Sequence, residues 1–114
     1  MITNPEHVIC FDVDDTLVLW NAEPTDVQIK DPYHENNIIA LKKHNKHIKL
    51  LKDHKERGYF VVVWSAGGYA WAKTVVETLE LQQYVDFIMA KPLKICDDLP
   101  ASEILGSRIY LEDV

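Results

Sequence analysis

No stretch of this sequence approaches the ~18 uninterrupted apolar residues that a membrane-spanning helix requires. The opening, Met1-Ile2-Thr3-Asn4-Pro5-Glu6, has neither the basic onset nor the apolar block of a secretory leader. A soluble, cytoplasmic protein with no membrane partner is therefore expected. Cysteine is scarce: Cys10 and Cys96 are the only two, each in an apolar run that ends on acidic residues. That setting predicts buried, reduced thiols rather than a disulfide, in keeping with a reducing compartment. Internal repeats and low-complexity tracts are absent, which excludes a solenoid. Positive charge is also short, with 12 Lys and Arg against 18 Asp and Glu and a net charge of -6, which argues against a general nucleic-acid binder. The basic residues nevertheless concentrate between Lys42 and Arg57. We read that stretch as the solvated face of a helix rather than a polyanion-docking surface.

What is present is enough apolar material for one core: 47% of 114 residues. A single domain spanning residues 1–114 is expected. Val8 to Phe11 and Tyr59 to Trp64 are continuous apolar runs of the kind buried on both faces in a parallel sheet. Phe87 to Ala90, Leu93 to Cys96 and Arg108 to Leu111 are three further strand candidates. Asn45 can cap a helix running to Arg57, with Ile48, Leu50 and Leu51 inward and Gly58 as its stop. Ala72, Val75, Val76 and Leu79 recur at helical spacing, and Pro100 to Leu105 offers one more short helix ended by Gly106. The alternation predicts an α/β domain with a mainly parallel, five-stranded sheet. Trp20 to Asn37 is polar, carries Pro24 and Pro32, and reads as a loop or small hairpin flap.

Ligands of open α/β sheets collect beyond the carboxyl ends of the strands, so the polar residues ending each apolar run are the ones to compare. Strand one ends in Asp12 and Asp14, strand two in Ser65, strand three runs into Lys91, and the fourth candidate ends in Asp97 and Asp98. Four carboxylates gathered in one place would repel one another without a cation. Magnesium suits hard oxygen ligands. A metal, an aspartate and a lysine together match phosphoryl transfer, where catalysis is mostly positioning and neutralisation of charge. Asp12 could attack phosphorus and form an aspartyl-phosphate.

Asp12-Val13-Asp14-Asp15-Thr16, Ser65, Lys91 and Asp97-Asp98, in this order, resemble the four motifs of the haloacid dehalogenase superfamily. The resemblance covers almost the whole chain and implies a three-layer, Rossmann-like α/β fold. It implies Asp12 as nucleophile and Asp14 as the acid that protonates the leaving alcohol and then activates water. Ser65, with Ala66 beside it, would bind the transferring phosphoryl group, and Lys91 would neutralise it. Magnesium would be held by the Asp12 carboxylate, the Asp14 carbonyl and Asp98, with Asp97 paired to Lys91. Glu112-Asp113 also follows an apolar run, Ile109-Tyr110-Leu111. We favour Asp97-Asp98 because a terminal residue is poorly fixed for catalysis. Asp15 stands where many relatives have glycine; aspartate tolerates unusual backbone angles better than most residues.

The short spacing between the motifs leaves no room for a large cap domain, so the site is expected to be open. Capless relatives tend to act on large substrates, which by analogy suggests a phosphorylated macromolecule or a nucleotide, with nucleic acid as substrate only. Two alternatives accompany the phosphatase reading: a phosphotransferase using the same intermediate, and a binding module without turnover. His34, His44, His47 and His54 invite a metal reading, but the three near the basic helix are expected at the surface or partly buried. Trp20, Tyr33 and Trp71 could stack on a base, yet such residues more often fill a core or pin a flap. Gly67-Gly68 could bring backbone amides to a phosphate or form an ordinary turn.

Overall fold

The computed structural model describes residues 4–114, with side chains from Glu6 onward. Met1 to Thr3, part of the segment read for a leader, lie outside the described residues. Strand β1 (Asn4–Asp12) is followed by β2 (Val18–Leu19), β3 (Val27–Lys30) and β4 (Ile38–Lys43). Then come helix α1 (Asn45–Glu56), β5 (Tyr59–Ser65), helix α2 (Tyr69–Thr78) and β6 (Phe87–Ala90). Two short 3-10 turns lie at Gln82–Tyr84 and Ala101–Glu103.

β1, β5 and β6 form a parallel sheet in that order, with Asp12 opposite Trp64 and Ser65 opposite Ala90. The register brings the carboxyl ends of all three strands to one edge. β5 lies in the middle, and its Val61, Val62 and Val63 are all buried, as expected for a strand covered on both faces. β2, β4 and β3 form a second, antiparallel sheet. One core joins the two: Phe11, Val61 and Val63 pack with Leu17, Val18, Ile29 and Leu41 and with the inward face of α2, Trp71, Ala72, Val75 and Val76. The predicted flap, Trp20 to Asn37, holds β3 and the turn into β4, which lies beyond it, and its Ile29 is fully buried. Among the described residues no helix is long and apolar enough to cross a membrane.

The expected five-stranded, Rossmann-like sheet with three layers does not form. The parallel sheet has three strands, the other three strands are antiparallel, and α1 and α2 are the two α-helices of the described residues. Leu93 to Cys96 is no strand: Pro92 removes a donor at its start, and Leu93 is 94% exposed. Arg108 to Leu111 is no strand either, because the Leu111 N–H and C=O that a ladder would use bond to His47 and His44 instead. Pro100 to Leu105 shrinks to the single turn at Ala101–Glu103. β4 was hidden because its Ile38-Ile39-Ala40-Leu41 run merges into the basic residues read with the helix.

α1 is capped by His44 rather than Asn45: the His44 Nδ1 accepts the His47 N–H at 3.2 Å. Leu51 is fully buried, and Gly58 at φ +88° follows the helix end, a backbone state that glycine adopts without strain. His44, His47 and His54, expected at the surface or partly buried, are buried. Cys10 is half-buried and Cys96 exposed, so the expectation of two buried thiols is corrected for Cys96, while both are free.

Candidate active site

The loop after β1 is wound around one carbonyl. The Thr16, Leu17 and Val18 N–H groups all donate to Val13 O at 3.2, 2.9 and 3.2 Å, and Asp15 N donates to Val18 O at 2.7 Å. This winding drives Asp15 to φ +59°, a left-handed state that Asp accepts better than most residues. The Asp15 carboxylate turns outward and accepts the Trp20 N–H at 3.0 Å. Its charge therefore serves the loop.

Asp12 and Asp14 have distinct surroundings. Asp12 ends β1 half-buried; Lys91 Nζ stands 3.2 Å from its Oδ1, and Thr16 Oγ1 donates to its Oδ2 at 3.3 Å. Asp14 Oδ1 accepts two indole N–H bonds, from Trp20 at 2.8 Å and Trp71 at 3.0 Å. Its Oδ2 accepts Ser65 Oγ at 3.4 Å. Ser65 is fully buried at the end of β5; its Oγ accepts Gly67 N–H at 2.9 Å, and its carbonyl accepts the N–H of Gly68 and of Lys91 at 3.1 and 2.9 Å. One serine thus fixes the β5 turn and the start of the segment that delivers Lys91.

The antiparallel sheet reaches the same place. Asp31 accepts Tyr33 N, His34 Nδ1 and Asn37 Nδ2, and these bonds, led by that of Asn37, hold its carboxyl down at about 2. The hairpin tip so braced lets the Tyr33 hydroxyl donate to Gly67 O at 2.8 Å. Gly68, at φ +102°, caps α2, and a Cβ there would lie 2.5 Å from the Tyr33 oxygen. Glycine is required on both counts.

Of the residues expected at the site, Asp12, Asp14, Ser65 and Lys91 come together. Ala66 is exposed beside Ser65. Asp97 and Asp98 are exposed, and Asp97 Oδ1 accepts Leu99 N at 3.0 Å. That bond, then Asp98, holds the Asp97 carboxyl below the usual range. The expected Asp97–Lys91 pair is replaced by Asp12–Lys91. Nor does Asp113 join them: Lys42 Nζ pairs with it at 2.8 Å and lowers its carboxyl. Asp12 and Asp14 offer two oxygen ligands for a hard cation, but among the described residues no three His, Cys, Asp or Glu side chains are grouped to hold a metal.

A groove of about 1090 Å³ is lined by Asp12, Asp14 and Lys91, by Val8 to Phe11 of β1, and by Arg108 and Tyr110. Tyr110 donates its hydroxyl to Asp15 O at 3.0 Å. The indole donors to Asp14 and the place of Arg108 along the groove went unread in the sequence. A buried Trp does need an acceptor for its N–H, but nothing in the spacing of Trp71 names Asp14. The buried histidines serve backbone groups and not a metal: His47 Nδ1 donates to Thr16 O at 2.7 Å, its Nε2 accepts Leu111 N–H at 2.8 Å, His44 Nε2 donates to Leu111 O at 2.8 Å, and His54 Nδ1 donates to Leu50 O at 2.9 Å. No family model, curated protein or solved structure matches this chain.

Proposed function

We propose that this chain hydrolyses a phosphomonoester through a covalent intermediate on Asp12, the reading implied by the resemblance of its motifs to the haloacid dehalogenase superfamily. The observation that carries it is the Asp12–Lys91 pair at 3.2 Å, at the carboxyl ends of parallel strands of one sheet with Asp14 and Ser65 alongside. A carboxylate nucleophile needs a cation to bring it and an anionic phosphoryl group together, and Lys91 is the cation at hand.

In the first half-reaction an Asp12 carboxylate oxygen forms a bond to phosphorus while the ester P–O bond breaks, and Asp14 gives its proton to the departing alcohol oxygen. In the second, Asp14 takes a proton from water, the water oxygen bonds to phosphorus and the Asp12–phosphorus link breaks, releasing inorganic phosphate. Lys91 neutralises the transferring group throughout, and Ser65, the phosphoryl-binding hydroxyl of the resemblance, is buried with its Oγ against Asp14 Oδ2. Magnesium belongs to the proposal as a further source of charge neutralisation that the Asp12 carboxylate and the Asp14 backbone carbonyl would hold; the third acid expected from Asp97-Asp98 is exposed and away from them. A groove at the upper end of the size of small-molecule sites supports a nucleotide-sized or larger phosphorylated substrate.

Asp12→Asn is the test. Hydrolysis of a phosphomonoester panel, with magnesium and after chelation, is expected to fall by roughly 10³-fold or more in the variant. Wild-type rates in Asp12→Asn would refute the assignment.

A further inference from the structure

Two indoles from separate parts of the chain converge on one oxygen of Asp14. Trp20 lies just past β2, and Trp71 lies in the first turn of α2; their N–H groups reach Asp14 Oδ1 at 2.8 and 3.0 Å, with ring centroids 6.3 Å apart and planes at 41°. An indole N–H donates and never accepts, so both bonds need lone pairs on Oδ1. A proton placed there would take one of those lone pairs and displace one of the indoles.

We propose that Trp20 and Trp71 are positioning residues for Asp14: together they occupy Oδ1 and reserve Oδ2 for the proton that Asp14 exchanges with substrate. This rests on the reading of Asp14 as the acid and base of phosphoester hydrolysis. Oδ2 has a single, long partner, Ser65 Oγ at 3.4 Å, and that hydroxyl is itself oriented by the Gly67 N–H. One oxygen is thus anchored twice and the other is loosely held, as a carboxylate that transfers a proton at a fixed place requires.

A purely structural reading accounts for Trp71, which is 6% exposed and must satisfy its N–H inside the protein. It does not account for Trp20, which is 40% exposed and could give its N–H to water. The two anchors come from different parts of the fold. Trp20 is fixed through its backbone N–H to Asp15 in the loop after β1, whereas Trp71 sits in the first turn of α2, whose capping Gly68 follows the Gly67 carbonyl bonded by Tyr33.

The first arm of the test compares Trp20→Phe with wild type on two substrates, using kcat/KM because it reports the half-reaction that breaks the ester bond. An alkyl phosphate has a poor leaving group and depends on a placed proton; 4-nitrophenyl phosphate has a good one and does not. Trp20→Phe is expected to lower kcat/KM for the alkyl ester about 10-fold and to leave the nitrophenyl ester within about 2-fold, a fraction of what a general acid contributes. Equal losses on both esters, or none on either, would overturn the proposal. The second arm needs no turnover: in Asp14→Ala the indole N–H resonances of Trp20 and Trp71 are expected to shift and exchange faster with solvent while that of Trp64 does not. An undisturbed Trp20 resonance would also overturn it. If the wild-type chain hydrolyses no phosphomonoester, the phosphatase reading fails and the acid–base role falls with it, whereas the resonances still decide whether the two indoles hold Asp14.

Discussion

Replacing His47 by leucine should destabilise the chain by about 2–4 kcal/mol, the sum of two deprived backbone groups, and should do so less at acidic pH. His47 is 1% exposed and stacks on His44 at 3.7 Å and 8°. A carbonyl only accepts and an amide N–H only donates, so its bonds define a neutral ring that carries its proton on Nδ1, donates to Thr16 O and accepts Leu111 N–H at Nε2. Leucine preserves bulk and leaves both backbone groups without their partner. A deprived buried group costs about 1–3 kcal/mol. Leu111 is 37% exposed, so its N–H falls at the low end and Thr16 supplies the larger share.

The pH arm follows from the same geometry. Burial first, then the nearby His44, depresses the His47 pKa below its ordinary 6.5, against the opposing Thr16 bond. The unfolded chain then binds more protons than the folded one between those two values. The contribution of His47 to stability is complete above about 6.5 and is lost as pH falls through that value toward the folded one. Tyr110 packs edge-on against both rings, and Asp113, paired with Lys42, interacts with His44. Urea unfolding at pH 8 and pH 5.5, followed by circular dichroism, checks both parts. A loss below about 0.5 kcal/mol at pH 8, or the same pH slope in the His47→Leu and wild-type chains, would refute the reasoning.

Gly68→Ala should cost about 1–3 kcal/mol from its φ of +102° and the Tyr33 hydroxyl; adding Tyr33→Phe should restore only part, as thermal melts of single and double variants would show. Lys91→Met should lower phosphoester turnover by about 10²-fold or more with little change in melting temperature, because Lys91 is 39% exposed and its pair with Asp12 adds little stability; steady-state rates beside a melt separate the two effects. Cys96 should be alkylated well before Cys10, whose thiol burial pushes above its ordinary value; a time course by peptide mass spectrometry reads the order.

β1, β5, α1, α2 and β6 were legible because each rests on a local pattern strong enough to stand alone. Val61-Val62-Val63 must be covered on two faces, and Ala72, Val75 and Val76 mark one helical stripe. Asp12, Asp14, Ser65 and Lys91 followed from the strand ends, since a parallel sheet delivers its carboxyl ends to one edge. What failed depended on distant partners. Val27-Gln28-Ile29-Lys30 alternates for only four residues, too few to announce a strand until β4 pairs with it. Arg108 to Leu111 has the composition of a strand, but the buried imidazoles of His44 and His47 take its backbone bonds. The same two side chains were expected at the surface or partly buried because their neighbours, Lys43, Lys46 and Lys49, are charged; which side of the helix start a residue faces, not local composition, decides burial.

The central claim is that Asp12 carries the phosphoryl group, and trapping it is the most direct test. Wild-type protein mixed with a phosphomonoester and magnesium, quenched in acid within the turnover time and digested, should yield the peptide containing Asp12 heavier by one phosphoryl group, and hydroxylamine should remove the label as it does from an acyl phosphate. Label on any other residue, or hydrolysis that proceeds at full rate with Asp12 never modified, would contradict the account.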